Sequence, residues 1–331
     1  MLNRLLAVVW VLACAFISPL SQAQSPTWVD SGSDPFPLRF FEFDLQGTPV
    51  QMAYMDVAPS AVSNGQAVLL MHGKNFGSDY WAHTLRALSQ AGYRVIAPDQ
   101  IGFGQSSKPD QEYRFQDLAR HTARLLDQLQ LQRVAIVANS MGGMLGVHFA
   151  RMFPERVSAL VLENPIGLED YAQAIPEQTT EHLQALEMQQ TPASYRQFLH
   201  HSYFPNWQAE YERYVEQFAR TQSNPDYPHL AKVSAQTYQM IYHGPILEEL
   251  PLLKVPTLLI IGQADRTVFG RRFAPPEAVR SMGNFPALGK AAQQRIPDSK
   301  LLEFEGVGHV AHLEVPERFN SAVLAYLKAP H

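Results

Sequence analysis

Short apolar runs alternate with longer amphipathic ones along most of this chain. Residues 67–71, 93–98, 133–139, 157–163 and 256–262 are dominated by Val, Ile, Leu and Ala and are too short for packed helices. They predict strands buried on both faces. Residues 80–91 and 115–129 carry apolar positions at helical spacing, with Leu118, Leu125, Leu126 and Leu129 on one side of the second run. Strand-like runs at 39–45 and 50–56 precede this series, and a strand at 300–304 and a helix at 315–327 close it. Such alternation predicts an α/β domain, with a mostly parallel central sheet and helices on both faces.

From residue 167 to about 250 the alternation stops. This stretch reads as helical, is broken by prolines and is rich in aromatics such as Tyr195, Phe198, Tyr203, Trp207 and Tyr214. It predicts a helical cap of roughly 80 residues, the size of a small subdomain, inserted after the sixth strand. Its aromatics would form its own core, and some would line a pocket against the main domain. A second insertion, 269–295, separates the last two strands. The expected order is a leader at 1–23, an N-terminal lead at 24–37, the first part of the core at 38–166, the cap at 167–250 and the rest of the core at 251–331.

The leader is read from a pattern of its own. Arg4 supplies a positive charge, residues 5–17 are apolar, and Ser21-Gln-Ala23 offers small residues for cleavage. The apolar run is too short for a membrane span, so a secretory signal peptide cleaved after Ala23 is expected. That makes the mature protein secreted or periplasmic, with no stable membrane span. The sole cysteine, Cys14, falls within the leader and leaves nothing to form a disulfide. A lipoprotein anchored at Cys14 is the alternative.

The densest chemical signal lies at 133–152, where an apolar strand runs into Asn139-Ser140-Met-Gly-Gly143 and a helical pattern continues at once. Strand, sharp turn and helix with a serine at the apex describe a nucleophile elbow. The small residues Ala138 and Gly142 flank it, as a strained turn between closely packed elements requires. A serine capping a helix would share part of the pattern. Two later residues complete a constellation: Asp265 follows the strand at 256–262, and His309 follows the strand at 300–304. A serine hydroxyl attacks only when an imidazole takes its proton, and a buried carboxylate must orient that imidazole. Loops at the carboxyl edge of a parallel sheet gather such groups. Alternatives remain open at this point: a structural Asp265–Arg266 pair, an ordinary loop His309, or a carboxylate from Glu163 or Asp170. An oxyanion on the attacked carbonyl needs preset N–H donors, expected from the backbone amides of Met141 and Lys74. His72 is read as bracing the loop rather than as a base.

Composition narrows the class. The 331 residues, 46% hydrophobic, suffice for a core and a cap. A net charge of −5 with no Lys/Arg run argues against nucleic-acid binding. The 12 histidines show no metal-ligand spacing, and Gly102-Phe-Gly104 lacks the context of a dinucleotide loop. Neither metal nor organic cofactor is expected, and the partner would be a small-molecule substrate. Oligomeric state is not legible.

With His72-Gly73, the 98–106 segment Pro-Asp-Gln-Ile-Gly-Phe-Gly-Gln-Ser, the Ser140 elbow, Gly262-Gln-Ala-Asp265 and the 308–319 segment, the chain resembles capped α/β-hydrolase fold enzymes over about residues 39–328. The resemblance implies that fold and a Ser140–His309–Asp265 triad. Epoxide hydrolases and haloalkane dehalogenases of this fold attack with aspartate, so Ser140 excludes both. The elbow is similar to that of C–C bond hydrolases acting on aromatic meta-cleavage products. Those enzymes have a Gly-Pro-Gly type oxyanion loop and tend to place tryptophan where His312 stands; here the loop is Lys74-Asn75-Phe76-Gly77. Proline iminopeptidases usually show Trp-Asp-Gln-Arg, of which only Asp99-Gln100 is present. Ala138 stands where the family usually has glycine.

These readings combine into a serine hydrolase cleaving a carboxylic ester or related acyl bond. Alternatives are a C–C bond hydrolase or cofactor-free perhydrolase, and a ligand-binding protein on a hydrolase scaffold. Asn75, Phe76, His312 and Trp207 are candidate pocket residues, and Arg266, Arg271 and Arg272 could meet an acidic group.

Overall fold

The computed structural model describes residues 35–329. The expected leader, its Cys14 and most of the 24–37 lead lie outside them. The chain opens with a hairpin of β1 (Leu38–Leu45) and β2 (Thr48–Val57). Gln46 and Gly47 turn it at φ 53° and 85°, the left-handed pair that suits the twist of a two-residue loop. The strands β3 (Ala67–Met71), β4 (Arg94–Pro98), β5 (Val134–Asn139), β6 (Val157–Glu163), β7 (Thr257–Gly262) and β8 (Ser299–Phe304) follow. They form one eight-stranded sheet in the order β1-β2-β4-β3-β5-β6-β7-β8. Only the pairs β1–β2 and β2–β4 are antiparallel.

Between strands run α1 (Ala82–Gln90), α2 (Phe115–Gln128) and α3 (Met141–Met152). The expected 80–91 helix starts as a 3-10 turn, Ser78–Trp81, before α1. Near the C-terminus, α8 (Pro276–Ser281) and α9 (Phe285–Arg295) fill the second insertion. The closing helix is split into a single turn, here α10 (Ala311–Glu314), and α11 (Pro316–Lys328). Pro316, which cannot continue a helix from the preceding turn, sets the break.

Successive strand residues point to opposite faces, and this divides the core in two. Leu69, Ile136, Leu160 and Leu259 join the layer beneath α2, α3 and α9. Val68, Val137, Val161 and Leu258 join the layer beneath α1 and α11. The cap lies between β6 and β7, as expected, and consists of α4 (Thr180–Gln189), α5 (Pro192–Ser202), α6 (Glu212–Gln222) and α7 (Tyr227–Tyr242). Its aromatics Tyr195, Phe204, Tyr211 and Tyr214 are continuous with the second core layer, so the cap shares packing with the sheet domain.

Candidate active site

The elbow forms where β5 gives way to α3. Ser140 holds φ 57° and ψ −121°, a backbone strain that only tight surroundings sustain. Those surroundings explain its neighbours. A Cβ at Gly142 would sit 2.2 Å from the Met71 carbonyl oxygen, and one at Gly143 would sit 2.6 Å from the Pro165 side chain. Ala138 fits inside β5 and permits the turn. The Ser140 amide donates to the Glu163 carbonyl at 3.1 Å, tying the elbow to β6. Ser140 opens onto a cavity of about 610 Å³ between the sheet edge and the cap.

Asp265, in the loop after β7, is fully buried. Its Oδ2 lies 2.6 Å from His309 Nδ1 and accepts from Asn164 Nδ2 at 2.7 Å. Its Oδ1 accepts from the Thr267 amide at 2.8 Å. A carboxylate so placed puts the imidazole proton on Nδ1 and leaves the Nε2 lone pair free to act as a base. Nε2 is buried and has no hydrogen-bond partner among the described residues, Ser140 included. The acid and the histidine are therefore joined, while the serine–histidine bond is open, as such bonds often are before substrate tightens them. The elbow and the histidine loop are nevertheless fastened together, because Asn139 Nδ2 donates to the His309 carbonyl at 3.0 Å.

The other carboxylates are engaged elsewhere. Glu163 accepts the His312 amide at 2.8 Å and faces His312 Nδ1 at 2.7 Å. Asp170 caps the short turn Tyr171–Gln173. Arg266 Nη1 bonds the Asp265 backbone carbonyl at 2.6 Å, not its carboxylate. Glu314 accepts the amides of Gly308 at 3.0 Å and Val310 at 3.4 Å, clamping both sides of His309. Burial raises the Glu314 carboxyl to about 8, against the pull of those amides.

Two expected pocket residues are corrected. His312 does not line the cavity: it stacks on Trp81 at 3.9 Å and is buried on Glu163. The turn of α10 directs it into the core behind the site. Trp207 packs on Phe204, Tyr211 and His200, outside the cavity. Asn75 and Phe76 do line it.

Lys74 follows β3 on the cavity wall, and Met141 begins α3, where helical amides lack partners within the helix. The Lys74 ammonium reaches the cap, donating to Ser234 O and Oγ at 3.0 Å and to Thr237 Oγ1 at 3.1 Å. Burial lowers it to about 8, with Glu187 opposing. Lys108, also on the wall, is lowered by burial to about 7. Behind this loop, His72 Nδ1 meets the Gly73 carbonyl at 2.8 Å while Nε2 accepts the Gln100 amide at 3.0 Å, a neutral brace as expected. Asp99 accepts the Ser78 and Gln105 amides, so the 98–106 motif builds the loop rather than the chemistry.

Asn164 and Tyr203 were not foreseen as site residues. Asn164 occupies φ 40° after β6, and a left-handed Asn after a buried strand is the one signal it offers. Tyr203 gives none beyond its aromaticity. Among the described residues no three His, Cys, Asp or Glu side chains gather as a metal site.

The model of the alpha/beta hydrolase fold family matches residues 66–316. A 2-hydroxy-6-oxononadienedioate/2-hydroxy-6-oxononatrienedioate hydrolase of Burkholderia vietnamiensis is 31% identical over 290 residues, covering 85% of this chain and 92% of the relative. The crystal structure of a probable hydrolytic enzyme from Pseudomonas aeruginosa is 42% identical, with a TM-score of 0.87, covering 89% of this chain and 95% of that one. An enol-lactonase from Burkholderia xenovorans shares the fold at 20% identity and a TM-score of 0.67, covering 87% of this chain and all of its own length.

Proposed function

The chain belongs to the α/β-hydrolase fold family, and from that premise we propose that it is a serine hydrolase cleaving a carboxylic ester or related acyl bond of a small molecule. The observation that carries this reading is the buried Asp265–His309 pair at 2.6 Å, beside a serine on a strained elbow that opens into the cavity. His309 Nε2 takes the Ser140 proton as the hydroxyl attacks the acyl carbonyl. The oxyanion is received by the amides of Lys74 and Met141, each such donor being worth on the order of 3 kcal/mol of barrier. The imidazolium, held by Asp265, then protonates the leaving group. A water deprotonated by His309 releases the acid from Ser140.

A fluorophosphonate probe tests this reading. Wild type should be labelled and Ser140→Ala should not; equal labelling of the two rejects the nucleophile. A second reading is C–C bond hydrolysis, favoured by the Burkholderia relative and by the Asn139-Ser140-Met-Gly-Gly143 elbow. Comparing kcat/KM for p-nitrophenyl esters with that for a vinylogous diketone separates the two. The expected leader adds a compartment to the proposal: a secreted or periplasmic enzyme whose mature chain begins at Gln24, checked by intact mass of the exported protein.

A further inference from the structure

The end of α5 and the turn that follows it are bonded to three loops of the candidate site, those of Asp265, His309 and Asn75. The Ser202 carbonyl accepts from Thr267 Oγ1 at 2.9 Å, reaching the loop of Asp265. The Tyr203 carbonyl accepts the His309 amide at 2.9 Å. Asn206 Nδ2 donates to the Gly306 carbonyl at 3.2 Å, three residues before His309 on the same loop. Packing is close enough that a Cβ at Gly308 would lie 2.4 Å from both the Tyr203 oxygen and the Pro205 ring.

The Tyr203 side chain adds two contacts. Its ring stacks on the His309 imidazole at 4.5 Å between centroids and 25° between planes. Its hydroxyl accepts from Asn75 Nδ2 at 2.8 Å, and Asn75 follows Lys74 in the oxyanion loop. One cap residue thus touches the general base through both ring and backbone, and the oxyanion loop through its hydroxyl. A stacked ring restrains the tilt of an imidazole that Asp265 fixes at one edge only. The hydrogen bond that the hydroxyl of the same ring accepts from Asn75 sets where the oxyanion amide stands relative to that imidazole.

We propose that Tyr203 is a positioning residue that holds the imidazole of His309 and the Lys74–Asn75 loop in register, so that the cap completes the catalytic machinery. This inference rests on the serine-hydrolase reading. Because the two groups it aligns act in the transition state, its loss lowers kcat and leaves KM nearly unchanged. The phenol stays protonated, since burial pushes it well above its ordinary value, so its hydroxyl bond persists across the working pH range.

The test combines Tyr203→Phe, Tyr203→Leu, Asn75→Ala and the Tyr203→Phe/Asn75→Ala double variant. Tyr242→Phe serves as control, because it removes a buried cap hydroxyl that donates to the Ile175 carbonyl, away from the site loops. Tyr203→Phe keeps the stacking and loses one hydrogen bond, so kcat falls about 5- to 10-fold with KM within twofold. Tyr203→Leu loses the stack as well and falls about 50-fold or more. The double variant is no slower than Asn75→Ala alone, because both remove the same bond. Tyr242→Phe keeps wild-type kcat. Wild-type kcat in both Tyr203 variants, or fully multiplicative effects in the double variant, overturns the inference. If Tyr203→Leu does not fold, the near-isosteric Phe variant and the double-variant comparison decide. Absence of Ser140-dependent labelling in wild type removes the serine-hydrolase reading and this inference together. Labelling that Ser140→Ala abolishes, with unaltered rates in the Tyr203 variants, removes this inference alone.

Discussion

Asn164 uses both ends of its amide: Oδ1 accepts the Gly262 amide at 3.0 Å, and Nδ2 donates to Asp265 at 2.7 Å. A hydrogen bond to an ionised carboxylate contributes about 1.5–3 kcal/mol, so Asn164→Ala should lower kcat roughly 10- to 100-fold while KM changes little. Unaltered kcat in steady-state assays would remove Asn164 from the site. Glu314 makes a different prediction, about pH. Its native value of about 8 lies above its ordinary 4.5, so the native state keeps a proton that the unfolded chain releases. Stability from this group therefore falls as pH rises from about 4.5 to 8. Glu314→Gln cannot ionise, so its melting temperature should gain on wild type between pH 5 and pH 9; an equal difference at both would contradict the assignment. Single residues differed in how far the chain revealed them. His72, Ser140, Asp265 and His309 were legible as neighbours because each lies at or just beyond the carboxyl end of a strand, the edge at which a parallel sheet gathers its loops. His312 was misread because spacing from His309 says nothing about which way a one-turn helix faces. Tyr203 and Asn164 act through contacts 106 and 101 positions away in sequence, to His309 and Asp265 respectively, and no local pattern encodes those.

The elements were legible in proportion to how regular their environment is. Strands buried on both faces appear as unbroken apolar runs, so β3, β5 and β7 could be found within a residue or so. β2 runs to Thr48 because its partner β1 continues the ladder as far as Leu45–Thr48, an extension set by hairpin pairing rather than hydropathy. Cap helices were visible as a region and not individually, since their packing surfaces are aromatic and shared with the sheet domain. The β5–α3 junction has little slack. Gly142 faces the backbone of β3 at a distance where a methyl group cannot be accommodated by side-chain movement. Gly142→Ala should therefore destabilise by on the order of 3 kcal/mol or more, through overpacking against fixed backbone. Urea unfolding measures this directly, and a loss below about 1 kcal/mol would mean that strand and helix can separate more readily than the geometry implies.

The whole molecule carries a formal charge of −5, yet its cavity wall is cationic. Lys74, Lys108, Arg271 and Arg272 line it, against the single carboxylate of Glu187. A positive cleft in a negative molecule concentrates field where water is displaced, which favours substrates bearing an anionic group and disfavours cationic ones. Esters ending in a carboxylate should exceed matched neutral esters in kcat/KM by about 10-fold at low ionic strength, with the advantage shrinking as salt screens it. The two lysines give the preference a pH signature. Burial lowers Lys108 to about 7 and Lys74 to about 8, so both ammonium groups are largely charged at pH 6 and largely neutral at pH 9. The anionic-to-neutral ratio should fall across that interval without vanishing, because the arginines keep their charge. Lys74→Met should lower the ratio at pH 6 and flatten its fall, while the rate on the neutral ester, which does not use this charge, falls less. A ratio independent of both pH and salt would show that the lining cations serve only to hold the walls together, through bonds such as that from Lys74 to Ser234 in α7.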